Sequence, residues 1–373
     1  MNLKENLCLN ITSAELFCKV SEKKMNKSKL ALSLLGFSLL LTATMQNGYA
    51  QDGISDKLRI AVVNVQPVWG DKQANLAKIL KYSEQAASMG AKMIVFPEMV
   101  LTGYAMENGE AATTVAQKAQ KLGVYIAYGY PEKKGEAADD VYNSVLVAGP
   151  SGIVGSYQKI HPFGSEVVWC KTGTDPFLFD TPWGKVGVSI CYDTYNYPEL
   201  SRYYAASGAR LILNPTATSW AYYSAKHLGD DGMPVNDGKP YADNNQAWTN
   251  RFKGRVEATV IQSGVYVASS DLVGAEKTAD GTFMGTAFPG GSCVVGPSTD
   301  AEGTDNYIDY YGTNPARATE EGIYYSDVDL STAKRNSFVN YIKTDAQEGN
   351  LYSPDLYVKW YEKLAKEYKP LNH

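Results

Sequence analysis

The sequence contains few of the residues that build disulfide frameworks, zinc sites or nucleic-acid surfaces. Of its five cysteines, only Cys170, Cys191 and Cys293 lie beyond residue 50, and an odd, low number is not a disulfide framework. Its three histidines show no metal-ligand spacing with one another or with the cysteines, which argues against a zinc site. Beyond residue 50, clusters of lysine and arginine are also absent, which argues against a nucleic-acid partner.

A hydrophobic run long enough to span a membrane is missing as well. The apolar stretch at 30–43 has 14 residues, whereas a helix that crosses a bilayer needs roughly 20. Lysines precede this stretch and small and polar residues follow it up to Ala50, which is the layout of a secretory signal peptide. The alternative is an N-terminal membrane anchor. The sequence therefore predicts export, without distinguishing the periplasm from the extracellular space.

Predicted cleavage after Ala50 divides the chain into two parts. Residues 1–50 hold the signal peptide and a doubtful extension before Met25, which opens a more typical signal sequence than Met1 does. Removing their six lysines and three glutamates from 35 basic and 40 acidic residues leaves 29 and 37, a net charge near −8. Residues 51–373 show no internal repeat, no long linker and no membrane-length apolar run, so we expect one domain.

Apolar runs and helical periodicity alternate along residues 51–373. This mixture of βα crossovers and hairpins indicates one or two mixed sheets covered by helices. Strands are predicted at 58–65, 92–96, 124–130, 143–149, 153–159, 186–190, 210–214, 265–270, 292–297 and 323–330. Helices are predicted at 71–90, from about 198, near 246–263 and from 354 to 370. The polar segments 219–250 and 298–320 are expected to be surface loops.

Two local features refine this pattern. Pro150, Ser151 and Gly152 separate two strands and predict a hairpin turn. The C-terminal helix is amphipathic, and its aromatic stripe is expected to pack on the body or on a partner subunit. The inner face expected for the helix at 71–90 consists of Leu76, Ile79, Leu80, Ser83 and Ala87.

Reactive or charged residues follow three of the predicted strands. Glu98 follows KMIVFP, Lys159 follows IVGSYQ and Cys191 follows VGVSI, and strand ends of an open sheet gather at one edge. A cysteine attacks only as thiolate and needs a base, which a carboxylate can supply, while a lysine can stabilise an oxyanion. The residues alone leave other interpretations open: a surface carboxylate, a solvated lysine and an inert buried thiol.

Three segments, taken in order, resemble a known family. VFPEMVLTGY (95–104), YQKIHPFG (157–164) and GKVGVSICYDTYNYPEL (184–200) are similar to the signature segments of the carbon–nitrogen hydrolase family, or nitrilase superfamily. ILNPTA and GGSCVVGP fit as well, and the resemblance covers roughly 58–335. It implies a four-layer α-β-β-α sandwich with a single catalytic domain.

The resemblance also implies a site and a mechanism. Glu98, Lys159 and Cys191 correspond to the family's catalytic set, and Glu166, seven residues before Gly173, corresponds to its second glutamate. Glu98 would take the thiol proton, Lys159 and the Tyr192 N–H would stabilise the oxyanion, and Glu166 would position substrate or water. No metal or organic cofactor is implied. The alternative for Glu166 is an ordinary loop carboxylate.

The signature around the cysteine also bears on the branch of the family. Cys191-Tyr192-Asp193 differs from the Cys-Trp-Glu typical of nitrilases and resembles amidases and carbamoylases, and NYPEL at 196–200 resembles the aliphatic-amidase form. The sequence thus predicts an exported amidase that releases ammonia from a small amide. An N-carbamoyl hydrolase and a nitrilase remain alternatives within the family. A catalytically silent binding protein and an envelope-attachment module remain alternatives from other classes.

Two further expectations concern assembly and redox state. The resemblance implies a homodimer or higher homo-oligomer, built through helices that flank the site and through the C-terminal tail. At most one disulfide can form, and the sequence does not decide whether Cys170 pairs with Cys191 or Cys293. A catalytic thiol outside the cytoplasm is exposed to oxidation.

Overall fold

The computed structural model describes residues 55–105, 111–137, 140–218, 254–297, 319–333 and 354–367, with the backbone of 309–310, 343–344 and 347–348. The predicted signal peptide, the segment 219–250, most of 298–320 and the start of the predicted helix at 246–263 lie outside these residues. None of the helices in the described ranges combines the length and apolar character of a membrane span.

The first of two six-stranded sheets has the order β14-β1-β2-β3-β4-β5. Its strands are β1 (Lys57–Asn64), β2 (Met93–Val95), β3 (Tyr125–Lys133), β4 (Val141–Gly149), β5 (Gly152–Gln158) and β14 (Gly322–Asp329). Strands β1, β2 and β3 are parallel, and the remaining pairs are antiparallel. The hairpin predicted at Pro150 is confirmed, because β4 ends at Gly149 and its antiparallel partner begins at Gly152.

The second sheet has the order β13-β12-β9-β8-β7-β6. Its strands are β6 (Phe177–Thr181), β7 (Gly184–Val188), β8 (Ala209–Thr216), β9 (Tyr266–Asp271), β12 (Cys293–Gly296) and β13 (Asp309–Tyr310). A separate hairpin joins β10 (Val273–Lys277) to β11 (Phe283–Pro289), and a short one joins β15 (Lys343–Thr344) to β16 (Gln347–Glu348). Strands β6, β10 and β11 were not predicted, because none of them contains more than three consecutive apolar residues.

Seven α-helices and one 3₁₀ turn lie in the described ranges. They are α1 (Lys72–Ser88), α2 (Ala112–Leu122), α3 (Glu166–Trp169), α4 (Tyr192–Asn196), α5 (Pro198–Ala206), α6 (254–263), α7 (Pro354–Glu367) and the turn Leu330–Thr332. Helix α1 begins after Asp71, whose side chain accepts a hydrogen bond from the Ala74 N–H. Helix α2 was missed, because ATTVAQKAQKL buries mainly small residues.

The buried face of α1 is shifted from the predicted one. Ile79 and Ser83 are buried as expected, whereas Leu76, Leu80 and Ala87 are only half-buried. Asn75 is fully buried instead, because its side-chain amide exchanges hydrogen bonds with the Val68 backbone and donates to the Leu101 carbonyl. A polar residue therefore replaces a leucine at the core where loop backbone needs hydrogen-bond partners.

Alternating residues of β1 assign its two faces to two different layers. Ile60 and Val62 belong to the core between the sheets, together with Val186 of β7. Ala61 and Val63 point the other way, into the core that includes residues of α1 and α2. Helix α5 contacts β7 and β8 of the second sheet, so both sheets are flanked by helices. The predicted four-layer α-β-β-α sandwich with one catalytic domain is confirmed.

Candidate active site

The predicted site residues lie where the two sheets meet. Glu98 and Lys159 follow β2 and β5 of the first sheet, whereas Cys191 follows β7 of the second. The Glu98 N–H donates to the Thr216 carbonyl of β8 at 3.3 Å, which joins the two sheets beside the site. The prediction of a single sheet edge is corrected accordingly: strand ends from two stacked sheets converge here.

A buried ionic cluster forms the centre of the site, and we call Glu98, Asn143, Lys159 and Glu166 the Lys159 cluster. The Lys159 ammonium lies 2.7 Å from Glu98 Oε1 and 2.8 Å from Glu166 Oε2. Asn143 Nδ2 donates to Glu98 Oε1 at 2.7 Å and to Glu166 Oε1 at 3.0 Å. All four side chains are buried. A solvated lysine and a surface carboxylate are thereby excluded for Lys159 and Glu98.

Burial and charge act in opposite directions within this cluster. Burial by itself would lower the pKa of Lys159, but the carboxylates of Glu98 and Glu166 outweigh it and hold that pKa well above its usual value. The pKa of Glu98 is raised to about 6, chiefly by burial, although the charge of Lys159 opposes the rise. Lys159 therefore stays charged near neutral pH, whereas Glu98 changes protonation in the range useful for acid–base catalysis.

One oxygen of Glu98 is available for chemistry. Its Oε1 accepts from both Lys159 and Asn143, while its Oε2 is buried and has no hydrogen-bond partner among the described residues. A buried carboxylate oxygen without a partner is costly unless a substrate or a reacting proton uses it. Glu98 thus combines an oriented carboxylate with a free proton-accepting position.

Cys191 occupies a strained turn between β7 and α4. Strand β7 ends at Val188, so the strand predicted to end at the cysteine stops three residues earlier. Cys191 has φ 44° and ψ −104°, a conformation that costs a non-glycine residue about 1–3 kcal/mol. Its N–H donates to the Pro215 carbonyl at 3.1 Å and to Asn214 Oδ1 at 3.0 Å, which holds the turn in place.

The Cys191 thiol needs a base. Burial raises its pKa above the ordinary value, and the negative charge of Glu98 adds to the rise, while Lys159 opposes it. A free thiolate is therefore scarce, and the nucleophile has to form by proton transfer to a neighbouring group.

Two glycines allow the loops that carry Glu98 and Lys159 to pack closely. A Cβ on Gly129 of β3 would lie 2.5 Å from the Glu98 Cα and 2.4 Å from the Met99 nitrogen. A Cβ on Gly173 would lie 2.2 Å from the Gln158 carbonyl oxygen, next to Lys159. Met99 itself has φ 54°. Among the described non-glycine residues, only Met99 and Cys191 have positive φ, and both lie at the site.

Glu166 is a buried member of the site rather than a solvated loop residue. It begins the short helix α3, and its Oε2 accepts from the Phe163 N–H at 2.6 Å as well as from Lys159. The Tyr104 hydroxyl lies 3.4 Å from its Oε1. Its two oxygens are therefore oriented by donors from two loops and from strand β4.

A cavity of about 390 Å³ opens onto these groups. Its described lining consists of Trp69, Tyr104, Lys159, Phe163, Ser165, Glu166, Val168, Trp169, Cys191, Ala217, Glu276, Met284, Thr286 and Phe288. Sequence reasoning missed two polar residues here, Asn143 in the Lys159 cluster and Glu276 in the cavity wall. Asn143 is followed by Ser144 and Glu276 by Lys277, and neither stands in a motif, so the local sequence carries no signal for them.

Other polar groups beside the site have structural partners. His161 Nδ1 lies 2.8 Å from Asp193 Oδ1, and the His161 ring stacks on Tyr197 at 3.4 Å. Cys170, Cys191 and Cys293 are all free thiols. Within the described ranges, no group of three or more His, Cys, Asp or Glu side chains is placed to hold a metal ion.

Solved structures with the same architecture include an amidase of the nitrilase superfamily. A mutant of the Nesterenkonia AN1 amidase matches with a TM-score of 0.59 at 21% identity, over 82% of this chain and 98% of that one. Another mutant of the amidase from Nesterenkonia sp. AN1 carries the acetamide moiety of fluoroacetamide covalently added at its active-site cysteine, and it matches with a TM-score of 0.58 at 21% identity, over 83% of this chain and 98% of that one.

Sequence relatives and a family model agree with this fold. A nitrilase of Pyrococcus abyssi is 29% identical over 307 residues, 78% of this chain and 98% of its own. An omega-amidase of Danio rerio is 34% identical over 295 residues, 74% of this chain and 89% of its own. The model of the carbon-nitrogen hydrolase family matches residues 59–304. The chain therefore belongs to the carbon–nitrogen hydrolase family and is an enzyme that hydrolyses a carbon–nitrogen bond.

Proposed function

We propose that the enzyme hydrolyses a small amide to a carboxylate and ammonia through a thioester on Cys191. The observation that carries the proposal is the buried contact of Glu98 with Lys159 beside the Cys191 thiol, with Glu98 Oε2 left without a partner in the part of the chain that the structure describes. A cation and a nucleophile that line one cavity, with a base in contact with the cation, are what acyl transfer from an amide requires. The covalent adduct at the active-site cysteine of the Nesterenkonia amidase supports a nucleophilic thiol at this position.

Acylation begins with proton transfer from the thiol. Glu98 takes the proton of Cys191 as the sulfur attacks the amide carbon, which gives a tetrahedral intermediate. The Lys159 ammonium and the Tyr192 N–H, the first of helix α4, stabilise the negative charge that develops on the amide oxygen. Glu98 then returns the proton to the leaving nitrogen, the carbon–nitrogen bond breaks, and ammonia departs to leave the thioester.

Deacylation uses the same carboxylate a second time. Glu98 takes a proton from water, the resulting hydroxide attacks the thioester carbonyl, and the carbon–sulfur bond breaks. The proton then returns to the Cys191 sulfur, so the enzyme is restored. Lys159 keeps its charge throughout, while Glu98 carries the protons between Cys191, the leaving nitrogen and water.

Glu166 acts as a positioning residue in this proposal. Its carboxylate holds the Lys159 ammonium at 2.8 Å and shares Asn143 with Glu98, so it keeps the cation directed at the reacting carbonyl. Because it also lines the cavity, it can orient the amide nitrogen or the attacking water.

Export and self-association complete the proposal. Export rests on the segment 30–43 and the residues up to Ala50. Association as a homodimer or higher homo-oligomer is supported by helix α7, whose exposed apolar residues include Val358, Trp360 and Leu364. No nucleic-acid partner is proposed, because the chain is acidic.

Ammonia release tests the proposed reaction. The purified protein, Cys191→Ala and the control Cys170→Ala are incubated with aliphatic amides, ω-amides, N-carbamoyl amino acids and nitriles. We expect release from amides that falls on the order of 10⁴-fold or more in Cys191→Ala and persists in Cys170→Ala. A thiol control is informative because Cys170 is also buried but lies outside the described cavity lining.

The panel also separates the alternatives. Release from carbamoyl compounds or nitriles, with amides untouched, would replace the amidase by one of those branches. A folded protein that is silent on every compound would favour a binding protein. If mild reduction raises the activity of the wild type but not of Cys170→Ala, a Cys170–Cys191 disulfide forms in solution.

A further inference from the structure

A second carboxyl group in the cavity wall has no role in the chemistry proposed above. Glu276 of β10 is 1% exposed and lines the same cavity as Cys191. Its Oε1 accepts the Tyr104 N–H at 2.9 Å, whereas its Oε2 is buried without a hydrogen-bond partner among the described residues. An acceptor left open in the wall of a substrate cavity indicates that a bound molecule supplies the donor.

The local backbone orients this carboxylate. The β10–β11 pairing shifts register between Ala275 and Lys277, so Glu276 lies in an irregularity of the hairpin. Such irregularities redirect side chains and are frequent beside active sites. Around Glu276, the described cavity wall is formed by Met284, Thr286 and Phe288 of β11, and we call these four residues the Glu276 wall.

The charge balance of the cavity favours a cationic ligand group. Lys159 is the one basic side chain in the described cavity lining, and both Glu98 and Glu166 already hold it. Glu276 adds a further acidic group, and no basic side chain of the described residues lies at hydrogen-bond distance from it. Burial raises the pKa of Glu276 to about 7, with the Tyr104 N–H opposing the rise, so a neighbouring cation would strongly favour its ionised form.

Tyr104 relates the Glu276 wall to the Lys159 cluster. Its backbone N–H binds Glu276, and its hydroxyl lies beside Glu166, so one tyrosine side chain separates the two carboxylates. A short substrate can therefore reach the reacting groups with one end and Glu276 with the other. We propose that Glu276 binds a protonated amine at the far end of the substrate, which makes the substrates short ω-amino amides. This inference rests on the proposed amide hydrolysis.

A chain-length series of substrates tests the inference. The purified protein is assayed with amides H₃N⁺–(CH₂)n–CONH₂, n from 1 to 5, and with alkyl amides of the same length. We expect one length to be preferred, with a higher kcat/KM than its alkyl counterpart. In Glu276→Gln, kcat/KM for that amino amide should fall about 10- to 100-fold, mostly through KM, while the alkyl amide changes little.

Two further variants separate recognition from folding. Glu276→Asp keeps the charge and should retain part of the preference for the amino amide. Glu132→Gln is the matched control, since Glu132, like Glu276, is a glutamate in a strand. Its carboxylate accepts hydrogen bonds from the side chains of Ser144 and Gln158, and it lies outside the described cavity lining. It should keep the preference of the wild type. Thermal unfolding of every variant identifies any that fail to fold.

The outcomes distinguish this inference from the proposed reaction. If the wild type hydrolyses amides but Glu276→Gln lowers kcat/KM equally for amino and alkyl amides, Glu276 only supports Tyr104 and the inference falls alone. If the wild type hydrolyses amides but shows no preference for amino amides, the inference likewise falls while the proposed reaction stands. Silence of the wild type on every amide overturns the proposed reaction and this inference with it.

Discussion

Two parts of one cavity hold buried carboxylates in opposite ways. In the Lys159 cluster, Glu98 and Glu166 share an ammonium group and the Asn143 amide, with all four heavy-atom distances at 3.0 Å or less. In the Glu276 wall, one carboxylate has, among the described residues, a single backbone donor and an oxygen without a partner. Glu276 is 1% exposed, so its carboxylate is buried to a degree similar to those of Glu98 and Glu166.

The difference shows what each part of the cavity is prepared for. Ionised groups removed from water need compensating partners, and in the Lys159 cluster the protein supplies nearly all of them itself. The reacting groups are therefore oriented before any substrate binds. In the Glu276 wall the compensation is incomplete, so a ligand can contribute it, and such a position can distinguish one substrate from another.

Removing the Lys159 ammonium from the Lys159 cluster is expected to have the largest effect. We expect Lys159→Met to lower the free energy of unfolding by about 3–5 kcal/mol at neutral pH, because Glu98 and Glu166 are left facing each other. The loss should shrink at low pH as the carboxyl groups take up protons. Ammonia release should fall at least about 10²-fold, since the oxyanion loses its main donor. Denaturant unfolding and initial rates measure both effects.

The control for this variant is Lys185→Met. Lys185 pairs with Asp180 at 3.0 Å, but both side chains are largely exposed, so the expected change is at most about 1 kcal/mol. If the two variants are equally stable, the Lys159 cluster does not hold the site together as described.

Replacing Glu276 by glutamine should raise the free energy of unfolding, the opposite of the effect expected for Lys159→Met. The raised pKa of Glu276, about 7, means that the folded protein holds a proton that the unfolded chain releases near pH 4.5. Its contribution to stability is present below about pH 4.5 and is lost as the pH rises through about 7. Glu276→Gln should therefore gain stability relative to the wild type across that window, by at most about 3 kcal/mol. Parallel unfolding at pH 4.5, 6 and 8 gives the difference, and a constant offset at all three values would contradict the mechanism.

A smaller effect, the pH dependence of kcat/KM, should distinguish the role of Glu98 from that of Glu276. Because the pKa of Glu98 is raised to about 6 and its ionised form is the base, kcat/KM should fall about tenfold per pH unit below about 6. Alkyl amides are the suitable substrates, since they place no charge near Glu276. The fall in kcat/KM at low pH should persist unchanged in Glu276→Gln. If it disappears in this variant, the pH dependence comes from Glu276 and not from Glu98.

Regular elements were predictable where the local pattern is strong. The helix of α1 and the strands β1, β3 and β8 follow from periodicity and β-branched runs, because burial of one face dominates their formation. Strand β10 and helix α2 were missed, because many of their residues are small or polar and give no clear apolar pattern. Tertiary contacts stabilise these two elements instead.

The candidate site divides in the same way. Glu98, Lys159, Glu166 and Cys191 were identified in the sequence because ordered motifs flank them. Asn143 and Glu276 stand in no motif, and their importance depends on what lies opposite them in space. The position of Cys191 three residues beyond β7 also depends on a distant residue, Asn214, which stabilises the turn.

By itself, the sequence determined the family, the layered architecture and the four residues expected to carry the chemistry, because apolar periodicity and short motifs are local properties of the chain. Only the tertiary structure decided that two sheets, rather than one, bring these residues together, and that Glu276 retains an oxygen without a partner within the described ranges. Pairing, burial and pKa depend on neighbours that are distant in the chain, and those distances are set by how the sheets pack.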